Sequence, residues 1–391
     1  MSASAQKHVP PQAGGTLPTE VKDAFWARPI ETAGWCFTAT GSRFHIHASA
    51  GAARTPLEKI ADAGLVHRLT GVTPEVAINT LVDLVDETPA NLRAACDEAG
   101  IRIGSLCPNL SRDNRFRFGS LTNSDAGIRA TARDLVTRCL EHADTLGATA
   151  LSLWLPDGLH YPGQADIARR YEDLANELAQ ISGQVPDGLQ FLLEYKLFEP
   201  APYYTDIPDW GTALMLAETA GENCTVLVDF GHHAQGVNIP AILALLMRRK
   251  RLGALHINDR LNADDDLTVG AINPYMMFLS FCELAASGMH EDIRFGFDQH
   301  HTTKSPLMAT VQSVCRVQEL WLKALLVDRA ALAEAQENHD TVASEEVLQS
   351  AFWTDVRPIL EEWREERGLP RDPMAALAAS GVLAENEIRR K

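Results

Sequence analysis

The sequence predicts a parallel (β/α)8 barrel extended at both ends, and three observations carry that reading. Apolar runs of strand length alternate with longer segments of helical character through most of the chain, as a parallel sheet with outer helices requires. Four of the runs stop at metal-ligand side chains. Residues 188–193 deliver Glu194-Tyr195-Lys196, 226–228 deliver Asp229-Phe230-Gly231-His232-His233, 252–255 deliver His256-Ile257-Asn258-Asp259, and 293–297 deliver Asp298-Gln299-His300-His301. In a parallel barrel the carboxyl ends of the strands share one face, and that face carries the chemistry. Finally, 391 residues exceed the roughly 250 of a typical barrel, which leaves room for additions.

In chain order, residues 1–24 read as a mobile N-terminal arm, 25–335 as the barrel, and 336–391 as a charged C-terminal helical extension. Gly34-Trp35-Cys36-Phe37 is the expected first strand, followed by a Gly- and Ala-rich loop from Gly41. A helix over 56–70 places Pro56 at an allowed first-turn position. A short second strand over 75–78 ends at Asn79, and a helix over 90–98 passes through Gly100 into a third strand at 101–106. The polar, aromatic stretch 108–123 has the length and composition of an active-site loop. Helix 125–146 then meets strand 148–154, and helix 165–181 meets the strand that carries Glu194. Helices 210–220, 239–248, 273–286 and 306–335 alternate with the last three strands and complete eight units.

Charge and cysteine content exclude several functions. The 35 Lys+Arg against 52 Asp+Glu give a net charge of -17, which repels nucleic-acid backbones and anionic lipid. No nucleic-acid partner, nuclease activity or membrane association is expected, and no run is long and apolar enough to span a bilayer. Seven scattered cysteines without a C-x-x-C pair read as reduced thiols, and with no signal-peptide core near Met1 they suggest a cytoplasmic protein.

The strand-end residues make sense as a metal site. Glu194, Asp229, Asp264, Asp266 and Asp298 would gather five negative charges, each close pair repelling by about 4 kcal/mol at an effective dielectric near 20. Two divalent ions together with Lys196 would balance them. Carboxylates with His232 and His256 suit Mn first, with Mg, Co or Zn as alternatives, and the lack of thiolates argues against a structural zinc site. Asp229 and His232, three apart across a turn, can serve two ions. A single ion on Glu194, Asp229, His256 and Asp298 is the simpler arrangement. Each residue alone also fits a plainer role: an acid after a strand caps helices or turns, and a lone histidine is commonly a hydrogen-bonded core residue. Asp259, Asp265, His233 and His301 are assigned to that class or to holding the ligands in place. Trp35 and Trp154 fit the core as well as a sugar platform.

These residues carry a resemblance to the bacterial L-rhamnose isomerases, a branch of the xylose-isomerase-like TIM-barrel superfamily with broad activity on aldoses. It rests on Gly41-Ser42-Arg43-Phe44, Trp154-Leu155-Pro156-Asp157-Gly158, Tyr161-Pro162-Gly163-Gln164, Glu194-Tyr195-Lys196, Asp229-Phe230-Gly231-His232-His233, His256-Ile257-Asn258-Asp259, Asp264-Asp265-Asp266, Asp298-Gln299 and Leu326-Val327-Asp328-Arg329. The resemblance implies an aldose-ketose isomerase that moves hydrogen between C1 and C2 of a free sugar. It implies one ion on Glu194, Asp229, His256 and Asp298, and a second on Asp229, His232, Asp264 and Asp266. Lys196, Asp264 and Asp298 are the implied catalytic residues, with Lys196 near sugar O1 and O2; Trp35, Phe44, Asn79 and Trp154 are the implied substrate contacts. Phe44 would reach a neighbouring subunit, so a homotetramer is implied. The chain departs from the pattern at Asn79 and Val82, where His and Trp are usual, and at Leu110, where an aromatic is usual. A ketose 3-epimerase and a catalytically silent sugar-binding relative remain the alternative readings.

Overall fold

A computed structural model describes residues 21–22, 25, 28–42, 45–199, 204–262, 264–288 and 292–390. Eight strands close into one parallel barrel: β1 (Ile30–Ala33), β2 (Glu75–Asn79), β3 (Arg102–Cys107), β4 (Ala150–Trp154), β5 (Gln190–Glu194), β6 (Cys224–Asp229), β7 (Leu252–His256) and β8 (Arg294–Gly296). Neighbours in sequence are neighbours in space, and β1 closes the ring by pairing with both β2 and β8. The expected fold class is therefore the observed one.

The first strand is displaced from its expected position. Gly34–Phe37 forms a 3₁₀ turn, and the strand is the preceding Ile30–Ala33. Its sequence hides it because Glu31 points into the barrel, where Ser105 Oγ donates to Oε2 at 2.7 Å. Arg294 spans Glu31 and Glu75 at 3.5 and 2.9 Å, so a charged layer closes the amino-terminal end of the barrel. Above it, Ala150, Leu192, Leu227 and Ala254 form a small apolar layer separate from the main core. The main core lies between the sheet and the helices, as the near-continuous apolar runs of strands covered on their outer face require.

Two expected helices are each divided. Residues 125–146 form α4 (Ala126–Leu140) and α5 (Ala143–Leu146), after α1 (Pro56–Thr70), α2 (Thr80–Asp86) and α3 (Pro89–Ala99). The short α2 directly after Asn79 was not anticipated. Helices α6 (Ile167–Ser182), α7 (Trp210–Ala220), α8 (Ile239–Arg248) and α9 (Pro274–Ser287) match their expected places closely. Residues 306–335 divide into α10 (Pro306–Leu325) and α11 (Arg329–Glu337), where Asp328 Oδ1 caps the second helix through Ala331 N at 3.0 Å.

The C-terminal helices α12 (Thr341–Trp353), α13 (Arg357–Glu366), α14 (Pro373–Ala379) and α15 (Val382–Arg389) pack on the barrel's outer surface. Trp363 meets Phe25 edge-on at 5.4 Å, and Phe352 meets Tyr275 at 5.0 Å. Arg390 ends the packing by placing its guanidinium on the buried Asp62 of α1 at 2.6 and 2.9 Å. Arg390→Ala would leave that carboxylate buried without its partner. We expect a loss of about 3–5 kcal/mol, read as a lower urea midpoint. An unchanged midpoint would mean that water reaches Asp62 once the arginine is gone.

Candidate metal centre and its cavity

Strand periodicity builds the site. Successive side chains alternate between the two faces of a strand, so the residues in step with the interior layer at Leu192, Leu227 and Ala254 are Glu194, Asp229 and His256. The register aligns them: Asp229 pairs with His256, and Trp154 pairs with Glu194. A cavity of about 440 Å³ opens at this end, and Trp35, Asn79, Cys107, Trp154, Glu194, Lys196, Glu199, His232, His256, Asp264, Asp266, Asp298 and His300 are among its lining residues. A larger cavity of about 730 Å³ lies beside Met276 and Leu332 and contains none of the expected ligands.

Four groups come closest together. Ligand atoms of Glu194, Asp229, His232 and Asp298 all lie within 4.8 Å of one another. His256 is adjacent rather than part of that set, with Nδ1 at 3.0 Å from Glu194 Oε1 and 3.7 Å from Asp229 Oδ2. His232 Nδ1 is 2.9 Å from the Tyr195 carbonyl, and its Nε2 is 3.1 Å from Asp264 Oδ1. Asp229 is wholly buried; its Oδ1 accepts from Gly231 N at 2.6 Å, and Asn258 Nδ2 donates to Oδ1 and Oδ2 at 3.0 and 3.2 Å. A Cβ at Gly231 would stand tightly, 3.1 Å from both Asp229 Oδ1 and Asn258 Oδ1. Trp35 Nε1 donates to Asp298 Oδ1 at 2.7 Å and so fixes that carboxylate. Asp264 and Asp266 both adopt left-handed backbone, φ 56° and 48°, which costs of order 1–3 kcal/mol each outside glycine.

These residues fit a divalent cation. The donors are carboxylates and imidazoles without thiolate, and Asp266 Oδ1 is buried without a hydrogen bond. Without a cation, protons fill the role. Burial pushes the Asp229 carboxyl up to about 7. Burial works against charge on the two histidines, yet Asp229 with Asp264 raises His232 to about 9, and Glu194 raises His256 to about 10. Metal entry near pH 7 must therefore displace protons, so affinity should rise with pH towards about 9. Calorimetry in buffers of different ionisation enthalpy should register about one to two protons released per protein; a buffer-independent heat would refute it.

The same shifts set the sign of a stability effect. A histidine raised from 6.5 to about 9 or 10 stabilises the fold below pH 6.5 and loses that contribution as pH climbs through its folded value. Metal-stripped protein should melt lower at pH 9 than at pH 7, and Mn-loaded protein should show a smaller drop. Equal slopes for the two forms would show that the histidines are not coupled to the metal.

Lys196, Asn79 and Trp154 line the same cavity. Lys196 Nζ sits between Asp264 Oδ2 and Glu199 Oε1, at 2.6 Å from each, and 5.2 Å from the centre of a Trp154 ring. Burial opposes its charge, but Asp264 and Glu199 overcome this and hold its pKa above the ordinary lysine value. Asn79 lines the cavity with a buried, unpartnered Oδ1, and Trp154 Nε1 is likewise unpartnered. Val82 and Leu110 do not line this cavity; Leu110 belongs to the core. Phe44 lies outside the described residues. Asp259 and Asp265 hold loop backbone, the first accepting from Ile272 N and Asn273 N, the second from Leu261 N and Asn262 N. His233 packs against Tyr195, and burial pushes its pKa down to about 3. Sequence reasoning missed Glu199 and left His300, which it placed at a strand end, without a role; both line the cavity. Each had a signal in its spacing, three residues after Lys196 and two after Asp298.

Comparison with known proteins bears on this arrangement. The family model described as "Xylose isomerase-like TIM barrel" matches residues 57–302. The chain belongs to that family. A probable sugar isomerase of Mesorhizobium japonicum is 36% identical over 365 residues, covering 91% of this chain and 84% of the relative. Another from Rhizobium meliloti is 35% identical over 375 residues, covering 93% and 86%. Among solved structures, an L-ribulose 3-epimerase has a TM-score of 0.56 at 13% identity, covering 81% of this chain and 98% of its own. A D-psicose 3-epimerase has a TM-score of 0.52 at 14% identity, covering 77% and 98%. At those identities the structures show the shared fold. Among the described residues no helix is long and apolar enough to cross a membrane.

Proposed function

We propose that this barrel is a metal-dependent aldose-ketose isomerase of the L-rhamnose isomerase type, acting on a free sugar such as L-rhamnose/L-rhamnulose or a related aldose. The observation that carries the reading is the placement of the Lys196 ammonium beside the carboxylate and imidazole cluster in one cavity. Glu194, Asp229, Asp298 and a histidine would hold a principal ion, and the remaining acids of the cavity a second, with Mn preferred and Mg, Co or Zn as substitutes. When bound, divalent ions supply Lewis-acid polarisation of the sugar carbonyl.

The chain's own groups do the rest. Lys196, kept charged by its two carboxylates, donates hydrogen bonds to sugar O1 and O2 and stabilises negative charge developing there. Asp264, bonded to both Lys196 and His232, holds the ammonium in place while hydrogen passes between C1 and C2. Trp35 and Trp154 flank the sugar, and Asn79 offers its free amide oxygen to a hydroxyl. By resemblance, the protein assembles as a homotetramer in the cytoplasm; light scattering of the purified chain checks the assembly.

The competing ketose 3-epimerase needs acidic groups on both sides of C3, and Trp154 stands at the end of β4 where one of them would be. Incubating the chelated and Mn-restored protein with aldoses and ketoses separates the readings by product. Aldose formed from ketose, only with metal, supports isomerisation. A C3 epimer as the sole product overturns it, and no turnover of any sugar favours a silent binding relative.

A further inference from the structure

We propose that the cavity wall formed by β2, β3 and β4 binds the terminal hydroxymethyl group of the sugar, so that the substrates are aldoses with a hydroxyl on their last carbon rather than 6-deoxy sugars. Asn79, Asn109 and Ser152 are the residues that read this hydroxyl. The inference rests on the proposed function for the placing of C1 and C2. Among the free sugars allowed there it selects against L-rhamnose itself, which is 6-deoxy-L-mannose.

The strand order of the closed barrel sets the direction of the sugar. Lys196 and the carboxylate and imidazole cluster follow β5 to β8, and β2 and β3 stand across the ring from β6 and β7. A sugar with O1 and O2 at Lys196 therefore extends its far end towards β2 and β3.

The wall it meets there is polar. Asn79 ends β2 and pairs in register with Cys107 of β3. Leu106 pairs with Leu151, which brings Ser152 of β4 alongside Cys107. Ser152 is in step with Ala150 of the interior layer and so faces inward. Asn79, Asn109 and Ser152 all line the cavity. Asn79 Oδ1 is shut off from solvent without a hydrogen-bond partner, which marks an acceptor lacking its donor. Asn109 Oδ1 is taken by Ser111 N at 2.9 Å, and its NH2 is left to donate. The Ser152 hydroxyl can do either.

A sugar hydroxyl both donates and accepts, so it suits such a wall, whereas a methyl group satisfies none of these atoms. A methyl also finds no aliphatic partner. Among the described residues no Leu, Ile, Val, Met or Phe side chain lines this cavity, whose apolar surface comes from Trp35, Trp154, Pro108 and Cys107. Against Asn79 it would leave Oδ1 buried and unpaired.

Matched polyols read the preference without turnover. Mn-loaded full-length protein is titrated with L-mannitol and its 6-deoxy counterpart L-rhamnitol, and with galactitol and its 6-deoxy counterpart L-fucitol. Quenching of tryptophan emission reports binding, since Trp35 and Trp154 line the cavity. The hexitol of the better-bound pair should bind about 10–100-fold more tightly than its deoxy partner, the loss expected from leaving a buried acceptor unpaired. Asn79→Leu, which trades the amide for aliphatic surface of similar size, should weaken the hexitol, tighten the deoxy polyol and remove the preference. Ser152→Ala should reduce the preference without removing it, and thermal melting confirms that each variant is folded. The subsite is overturned if the deoxy polyols bind wild type as tightly as the hexitols, if neither pair binds, or if Asn79→Leu keeps the wild-type preference. A hexitol preference lost in Asn79→Leu, but with no turnover of any sugar, would sink the proposed function and leave the subsite standing. Isomerisation of L-rhamnose with a kcat/KM above that of L-mannose would do the reverse.

Discussion

Asp229→Asn should remove the principal ion and, with it, sugar turnover. The wholly buried carboxylate sits at the centre of the cluster, where its oxygens face Asn258, Gly231 and His256. An amide supplies no charge and must turn an NH2 towards groups that already donate, leaving a buried donor unsatisfied at about 1–3 kcal/mol. Metal affinity should fall by more than the about 10–100-fold associated with losing a mere supporting partner. Equilibrium dialysis of wild type and variant against Mn measures it; equal uptake would show that Asp229 is not a ligand. The same assay on His232→Ala and His256→Ala distinguishes the two imidazoles. The observed cluster places the larger loss in the first variant, and the set implied by resemblance places it in the second.

Asn79→His should have the next largest effect, in the opposite direction. Asn79 ends β2 with its backbone N–H held by Asp83 Oδ2 at 2.8 Å, and Asp83 is held by Lys59 Nζ at 2.6 Å. A new side chain would therefore project from a fixed point into the cavity. Asparagine can hydrogen-bond to a sugar oxygen but cannot titrate near neutral pH, whereas histidine can exchange a proton with a ring oxygen and help open a pyranose. Wild type should turn over L-rhamnose poorly and favour sugars with more open-chain form. The variant should raise turnover of ring-locked hexoses by about 10²–10⁴-fold if general acid-base help is fully restored. Kinetics on both substrate classes at fixed Mn decide the point. Efficient wild-type isomerisation of L-rhamnose, unaltered in the variant, would show that ring opening never depended on this position.

At the two other departures from the family pattern, Leu110 is a buried core residue and Val82 lies on α2, and neither lines the cavity. Its aromatic lining comes from Trp35 and Trp154.

Much of this protein was legible in the linear chain. Seven of the eight strands lie where apolar runs between helical segments place them, because a strand covered by helices must be apolar on that face. The exception, Ile30–Ala33, carries Glu31 to the charged floor of the barrel, and a strand with an inward acid gives no apolar run. Helix breaks at residues 141–142 and 326–328 were equally hidden, since helical periodicity continues across them.

The gathering of Glu194, Asp229, His256 and Asp298 at one end was also in the sequence. Glu194, Asp229 and His256 end their strands and Asp298 comes just after one, strands in a parallel barrel point the same way, and alternate residues face inward. Which atoms then meet was a matter for the tertiary structure alone. Asp264 and Asp266 differ by two positions in one loop, yet one is engaged by Lys196 and His232 while the other has a free oxygen beside Asp298 and His300. Both positions share a left-handed backbone, and the difference lies in the contacts that Lys196, after β5, and His232, after β6, make with Asp264 alone. Residue types and their spacing thus brought the acids and imidazoles to one end, and loop conformation under long-range packing decided which of them meet.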